Sequence, residues 1–415
     1  MWDMHDSSRY VVGIDIGTTT VRCVVGHIDA TNGAPSIVGV GEVPNTGMRK
    51  GTVINLNGPA QAIDDALGEA ERMSGHQVDA ATVSVNGSHI LSTTTDGMIA
   101  VSAADHVVNA DDIARIEEVA TVGKVPPNRE ILEVVPHSYR LDGQDNIKDP
   151  VGMTGTRLEI VANVISALTP NINTLHSVLD MAKVAPNTLV PSVIAAARAV
   201  LNEQQLENGV AVIDMGGSTT SVAVFEEGDL QYASVISVGG NNITNDLAIG
   251  LKTDPEIAEK VKLTHGSAVP QSGSETVSVK HDKETFEFRR EEVDEIVGAR
   301  LDELFEIITK ELKKAGRYAK LPSGVVLTGG GARLKHLADY TKNSLGLAAR
   351  IGKPKGFGGV AEHMDEPQYA VAVGLMISDT GGARSNKQHK TEGRSKAIAG
   401  NASGFVKRFL GRLKT

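Results

Sequence analysis

The chain has 415 residues, 40% of them apolar, 22% charged and only 3% aromatic, with a formal net charge of −10. That length suits two domains or one bilobal fold with a Val/Ile/Leu/Ala core, and so few aromatics argue against a base-stacking surface for single-stranded nucleic acid. The charge is uneven: residues 384–415 carry nine Lys/Arg against one acid, a formal +8, leaving −18 on the first 383 residues.

In chain order, Met1 to Tyr10 lacks the apolar segment of a signal peptide, and no later run approaches the ~20 apolar residues of a spanning helix, so a cytoplasmic protein is expected. Val11 to Val25 reads as strand, glycine turn, strand, with Asp15-Ile16-Gly17-Thr18-Thr19-Thr20 at its centre. Cys23 lies on the second of these strands as a small hydrophobe, and as the only cysteine it excludes a disulfide framework. No His-Glu-x-x-His occurs. Leu175, Val178, Leu179 and Ala182 fall at helical spacing. Val210 to Val224 then repeats the first unit, with Asp214-Met215-Gly216-Gly217-Ser218-Thr219-Thr220 at its turn. Two such copies some 200 residues apart imply a duplicated unit. Val293, Ile296, Val297, Leu301, Leu304, Phe305 and Ile308 form another helical stripe, and Val325 to Thr328 runs into Gly329-Gly330-Gly331. Strands interleaved with helices predict α/β lobes. Residues 379–403, rich in Gly, Ser, Asn, Lys and Arg, read as a flexible linker. Beyond it, Phe405, Val406, Phe409, Leu410 and Leu413 make one apolar stripe flanked by Lys407, Arg408, Arg412 and Lys414. Such a helix is too short to span a bilayer and suits the interface of an anionic membrane.

Common phosphate and hydrolase signatures are missing. Both Gly-Lys pairs are followed by residues other than Ser or Thr (Val125, Pro354), and no Gly-x-Ser-x-Gly elbow occurs. What remains is the matched pair of Asp-then-glycine turns. Backbone N–H groups and hydroxyls on such turns can bind phosphates, and an Asp on each can hold a divalent cation.

These residues resemble the actin, Hsp70 and sugar-kinase ATPase superfamily, and within it the FtsA family of bacterial cell-division proteins, over nearly the whole chain. More specific to that family are Gly47-Met48-Arg49-Lys50-Gly51-Thr52-Val53, Val85-Asn86-Gly87-Ser88-His89-Ile90, the segment Pro150 to Glu159, and Gly239-Gly240-Asn241-Asn242 continuing to Ala248. The resemblance implies a duplicated RNase-H-like, actin-like fold. Lobe 1 would cover 1–85 and 163–205, and an inserted subdomain 86–162. Lobe 2 would cover 206–245 and 322–378, with an upper subdomain over 246–321, then the linker at 379–403 and a membrane-targeting helix at 404–415. It also implies ATP and Mg²⁺, with Asp15 and Asp214 at the metal and Gly17, Thr18, Thr19, Arg22 and the loop Gly216, Gly217, Ser218, Thr219, Thr220 at the phosphates. Glu259, Lys262, Gly329, Gly330 and Gly331 would hold the nucleoside.

The implied partners are the C-terminal tail of the tubulin-like FtsZ, received near Arg289, Arg290 and Arg300, further copies of the chain in a filament, other division proteins and the membrane, with no nucleic acid. The implied location is the cytoplasmic face of the membrane at the septum. Two departures bear on turnover. Where many relatives carry a second acid after the Thr pair, this chain has Ser221. Where hydrolysing relatives orient water with Glu or Gln, the aligned residue is Ser192, with no carboxylate or amide from there to Asn202. Tight binding with slow or absent hydrolysis is therefore expected. A small-molecule kinase of the same superfamily and a pilus-assembly relative are the competing functions. The first lacks an assigned base, and the second has no need of the terminal amphipathic helix.

Overall fold

The computed structural model describes residues 9–29, 34–273, 275–359 and 363–379. Lobe 1 opens with an antiparallel meander, β1 (Arg9–Ile16), β2 (Thr20–Ile28) and β3 (Pro35–Pro44), followed by a small hairpin, β4 (Met48–Arg49) and β5 (Thr52–Val53), then α1 (Asn57–Ser74) and β6 (Ala80–Val85). Here the chain leaves for an inserted subdomain: β7 (Leu91–Ala100), α2 (Ala110–Thr121), β8 (Arg129–Leu141), β9 (Gln144–Ile147) and β10 (Arg157–Leu168). These strands form their own sheet, ordered β7-β10-β8-β9, and α2 covers one side of it. The chain returns through α3 (Thr169–Met181), β11 (Ala185–Pro191) and α4 (Ser192–Val200).

Lobe 2 follows α5 (Glu203–Asn208) with a second meander, β12 (Val210–Met215), β13 (Thr220–Glu226) and β14 (Asp229–Ile236). Above it stand α6 (Gly240–Gly250), α7 (Pro255–His265), the hairpin β15 (Thr276–His281) and β16 (Glu284–Arg289), and α8 (Arg290–Lys314). The lobe ends with β17 (Val325–Thr328), α9 (Leu337–Leu345) and β18 (Ala349–Ile351); β19 (Gly358–Gly359) and α10 (Ala370–Ser378) complete the described chain.

The duplication seen in the sequence is a duplication of topology. One sheet runs β3-β2-β1-β6-β11 and the other β14-β13-β12-β17-β18. In both, the meander is antiparallel and the last two strands join parallel. The register repeats as well: Asp15 lies opposite Arg22 in lobe 1, and Asp214 opposite Ser221 in lobe 2. The central strands read as unbroken apolar runs because helices cover both faces. In β12, Val210 and Val212 join the cluster that holds α4, whereas Ala211, Ile213 and Met215 join that of α6, α7 and α8. The expected α8 stripe is buried except Ile296, which is partly exposed.

Three boundaries differ from expectation. β10 runs on to Leu168, and its Ile165 and Ala167 enter the lobe 1 core, so the insert grades into the lobe without a loop. The end of the stretch expected in lobe 2 sits on lobe 1: β19 pairs with β3, and α10 packs on β1 and α4. The apolar run Ala370 to Met376 is buried almost all round, as a helix held between a sheet and another helix must be. Asp379, expected to begin the flexible linker, is 1% exposed. It accepts hydrogen bonds from Val12 N–H, Thr82 Oγ1 and Asn187 Nδ2 at 2.8, 2.9 and 3.0 Å, so one carboxylate ties β1, β6 and β11 together. The expected linker beyond Asp379 and the helix 404–415 lie outside the described residues.

Candidate functional site

Each repeated hairpin ends in a turn of glycine and hydroxyl residues. Loop one joins β1 to β2 and closes with a bond from Gly17 N–H to Thr20 O of 3.1 Å; loop two joins β12 to β13 and closes with Gly216 N–H to Thr219 O at 2.8 Å. The loops face one another across the lobes. A Cβ on Gly217 would lie 2.8 Å from Thr19 Cγ2. Thr18 is half-buried and Thr19 exposed beside this contact, and Ser218 hydrogen-bonds Asn241 Nδ2 at 3.3 Å.

The aspartates occupy equivalent places, one residue before the end of β1 and of β12, and both are buried. Burial raises the Asp15 carboxyl above its ordinary value, partly offset by Arg22 and a hydrogen bond from Ser84. Burial and then the charge of Asp15 push Asp214 up to about 7, with Arg22 acting against them. Two buried carboxylates that repel one another are a donor set suited to a hard divalent cation, which takes oxygen ligands from few side chains and completes its shell with phosphate and water. Among the described residues no group of three or more His, Cys, Asp or Glu converges as a metal cage.

The expected nucleoside residues gather around loop two. Gly240 N–H and Asn241 N–H, at the start of α6, donate to Gly216 O and Gly217 O at 3.0 and 2.7 Å. Gly239 permits this: a Cβ there would sit 2.6 Å from Gly216 O and 2.7 Å from Thr219 N. On α7, Lys262 Nζ bonds Glu259 Oε2 at 2.6 Å, Thr244 Oγ1 at 2.8 Å and Gly240 O at 3.3 Å. Gly329 leaves β17 with φ of 82°, and a Cβ on it would meet Asp214 Oδ1 at 2.4 Å; Gly331 packs on Met215. Gly330, between them, opens a short 3₁₀ turn. Loops one and two, the Glu259–Lys262 pair and the glycine turn therefore form one cluster between the lobes.

Some expected roles change on inspection. Thr220 belongs to β13 and is fully buried, its hydroxyl spent on Val238 O at 2.8 Å, so it is a structural member of the loop. Arg22 is not a free cation. Its Nη2 pairs with Glu42 at 2.7 Å and its guanidinium lies over the Tyr369 ring, while its Nε is buried without a hydrogen-bond partner. Ser192 starts α4 and bonds Val85 O at 3.3 Å. His89, in the motif 85–90, falls in the turn after β6. Arg300 is 20% exposed and gripped by Asp246 and Glu303; Arg289 is exposed and pairs with Glu291 and Glu292. Arg290 begins α8, about 15 Å along the helix from Arg300.

Two residues of the cluster have no role assigned from the sequence: Asn45, outside the quoted motifs, and Asn86, inside the motif 85–90. Asn45 clasps loop one, its Nδ2 donating to Gly17 O at 2.7 Å and its N–H to Thr19 O at 2.9 Å. Asn86 reaches loop two from lobe 1, its Nδ2 donating to Thr219 Oγ1 at 3.1 Å. Both are placed by strand pairing between distant segments.

Residues 211–374 match the family model of the cell division protein FtsA, and residues 87–166 match that of the SHS2 domain inserted in FtsA. The chain is 30% identical over 400 residues to the cell division protein FtsA of Pseudomonas aeruginosa, covering 95% of this chain and 94% of that one. The FtsA of Bacillus subtilis is 35% identical over 379 residues, covering 90% and 84%. The chain belongs to the FtsA family. It is an actin-like cell-division protein, and its inserted sheet β7-β10-β8-β9 with α2 is the SHS2 domain of FtsA. Solved structures agree on the fold. The PilM–PilN type IV pilus biogenesis complex matches with a TM-score of 0.65 at 17% identity, over 89% of this chain and 98% of that chain. MreB5 of Spiroplasma citri bound to ADP matches with a TM-score of 0.53 at 14% identity, over 89% and 95%.

Proposed function

We propose that this FtsA-family chain binds ATP with Mg²⁺ between its lobes, tethers FtsZ filaments to the cytoplasmic face of the membrane at the septum, and assembles into filaments itself. The observation that carries the nucleotide part is the pair of buried carboxylates, Asp15 and Asp214, on equivalent turns, with glycine loops and the Glu259–Lys262 pair gathered beside them. Asp15 and Asp214 would hold Mg²⁺, directly or through water. When bound, the ion supplies positive charge that offsets both carboxylates and phosphates. Gly17, Thr18, Thr19 and the Gly216–Thr219 turn would receive the phosphates, and Arg22, whose Nε is buried without a hydrogen-bond partner, would donate to them. Glu259, Lys262 and Gly329 to Gly331 would hold the nucleoside. MreB5, of the same fold, has been solved with ADP and with AMPPNP, which supports nucleotide binding by this chain.

With Ser192 at the head of α4 and its hydroxyl turned to Val85 O, that helix offers no carboxylate or amide to orient water, so slow turnover is expected. Arg300 would receive an acidic residue of the FtsZ tail, and the basic stripe of 404–415 would lie on the membrane.

The test is a reconstitution. Purified full-length chain, anionic vesicles and FtsZ filaments are sedimented with and without Mg²⁺-ATP. Filaments should pellet with vesicles only when the chain is present, and Asp15→Asn should abolish nucleotide binding. Filaments that never reach the vesicles would refute the tethering role, and a steady-state ATPase as fast as actin-like motors would refute slow turnover.

A further inference from the structure

The side chain of Asn86 joins the two lobes at the point where the chain leaves lobe 1 for the inserted domain. Its Nδ2 donates to Thr219 Oγ1 at 3.1 Å, and its Oδ1 accepts from Ser221 Oγ at 3.3 Å and from Gly87 N–H at 2.8 Å. Thr219 and Ser221 are buried residues of lobe 2, at loop two and on the strand that follows it. Both ends of the amide are thus engaged by the loop two segment, beside the contact of Gly217 with Thr19.

The mount of Asn86 is stiff. It follows Val85, the last residue of β6, and precedes Gly87, whose φ of 125° suits glycine. Gly51, from the β4–β5 hairpin, lies so close that a Cβ there would be 2.8 Å from Gly87 Cα. Behind the turn is a cavity of about 30 Å³, lined in part by Ile16, Thr52, Asn86 and His89, with room for one water. The inserted domain begins at residue 87. A second contact ties that domain to lobe 2: Lys148 Nζ bonds Asp229 Oδ2 at 2.6 Å and His137 Nε2 meets Leu230 O at 2.8 Å.

We propose that Asn86 is a positioning residue, an interlobe latch that holds loop two against lobe 1 in the closed cleft and passes the state of the cleft to the inserted domain. Ser221 makes the latch possible. An acid at that position would set a carboxylate oxygen against Asn86 Oδ1, acceptor facing acceptor, whereas the serine hydroxyl donates. Opening the lobes breaks both bonds of the latch and frees the turn at 86–90 from which the inserted domain is hung. The latch rests on the proposed nucleotide reading only for its effect on ligand release.

Hydrogen exchange on the ligand-free full-length chain tests it without nucleotide. Asn86→Ala should speed exchange across 216–221 and 87–91 about tenfold, the scale set by two neutral hydrogen bonds, and Asn86→Asp, which keeps the Ser221 bond, should give a smaller rise. Ser221→Ala added to Asn86→Ala should add little, since both remove the same link. Release of a fluorescent ATP analogue with Mg²⁺ should quicken in the same rank order, with the melting temperature lowered by only about 2 °C. Unchanged exchange at 216–221 in Asn86→Ala and Asn86→Asp, or strictly additive effects of positions 86 and 221, would overturn the latch. Should Asn86→Ala not fold, Asn86→Asp and Ser221→Ala decide the matter alone. A wild-type chain that binds no nucleotide would defeat the nucleotide reading, and the exchange result would still stand for the latch.

Discussion

Asp214 ionises near 3.8 as an unperturbed side chain and at about 7 in the folded protein, raised by burial and then by the charge of Asp15. The folded state therefore holds the extra proton between those values. Stability of the ligand-free chain should fall as pH rises from about 4 to 7, with the full cost present above 7. Asp214→Asn removes that cost. Its melting temperature at pH 8 should exceed wild type by about 2 °C or more without ligand, while the shift produced by Mg²⁺-ATP disappears; thermal denaturation at several pH values measures both. Arg300 supplies a second test at this scale. Asp246 already occupies its guanidinium, so an incoming carboxylate must share or displace it. Asp246→Asn should tighten binding of an FtsZ tail peptide about threefold, and Arg300→Ala should weaken it about tenfold, measured by fluorescence anisotropy. Equal binding by all three proteins would remove Arg300 from the interface.

Helix α10 shows how an element's sequence is set by its neighbours. A glycine inside a helix ordinarily costs ~1 kcal/mol against alanine. At Gly374 the sign should reverse, because a Cβ there would fall 1.8 Å from Ala195 O on α4. Gly374→Ala should destabilise the chain by about 2 kcal/mol or more in urea unfolding, since backbone carbonyl and helix must move apart. At the far end of the helix, Asp379→Ala would leave Val12 N–H without its acceptor, at a cost of about 2 kcal/mol. Strand and helix types were legible along the chain because apolar runs beside glycine turns mark strands, and apolar spacing near 3.6 marks helices, within single segments. Which lobe an element joins was not. The apolar run at 370–376 is equally at home on either sheet, and only its fit between β1 and α4 places it on lobe 1.

For the whole molecule, the duplicated hairpins put like chemistry at two like places, and closing the lobes brings the two together. The tail is a separate part in charge and in chemistry, +8 against −18 for the body. Removing residues 404–415 should abolish co-sedimentation with anionic vesicles while leaving nucleotide binding and the melting temperature unchanged. Raising salt should weaken the wild-type interaction, as screening of its Lys and Arg residues requires. Unchanged sedimentation of the truncated chain would rule the helix out as the anchor.

The amino-acid sequence by itself determined the repeat, the two Asp-and-glycine turns, the α/β class and the family, since each is written in short contiguous segments. The tertiary structure decided what those segments do to one another. Ser221 and Asn86, Arg22 and Tyr369, and Asp379 and Val12 are 135, 347 and 367 positions apart. No local spacing links such pairs. Strand pairing and lobe closure bring them within hydrogen-bonding or ring-stacking reach, and that proximity turns Asp379 from a linker residue into a clasp and Arg22 from a free cation into a paired one.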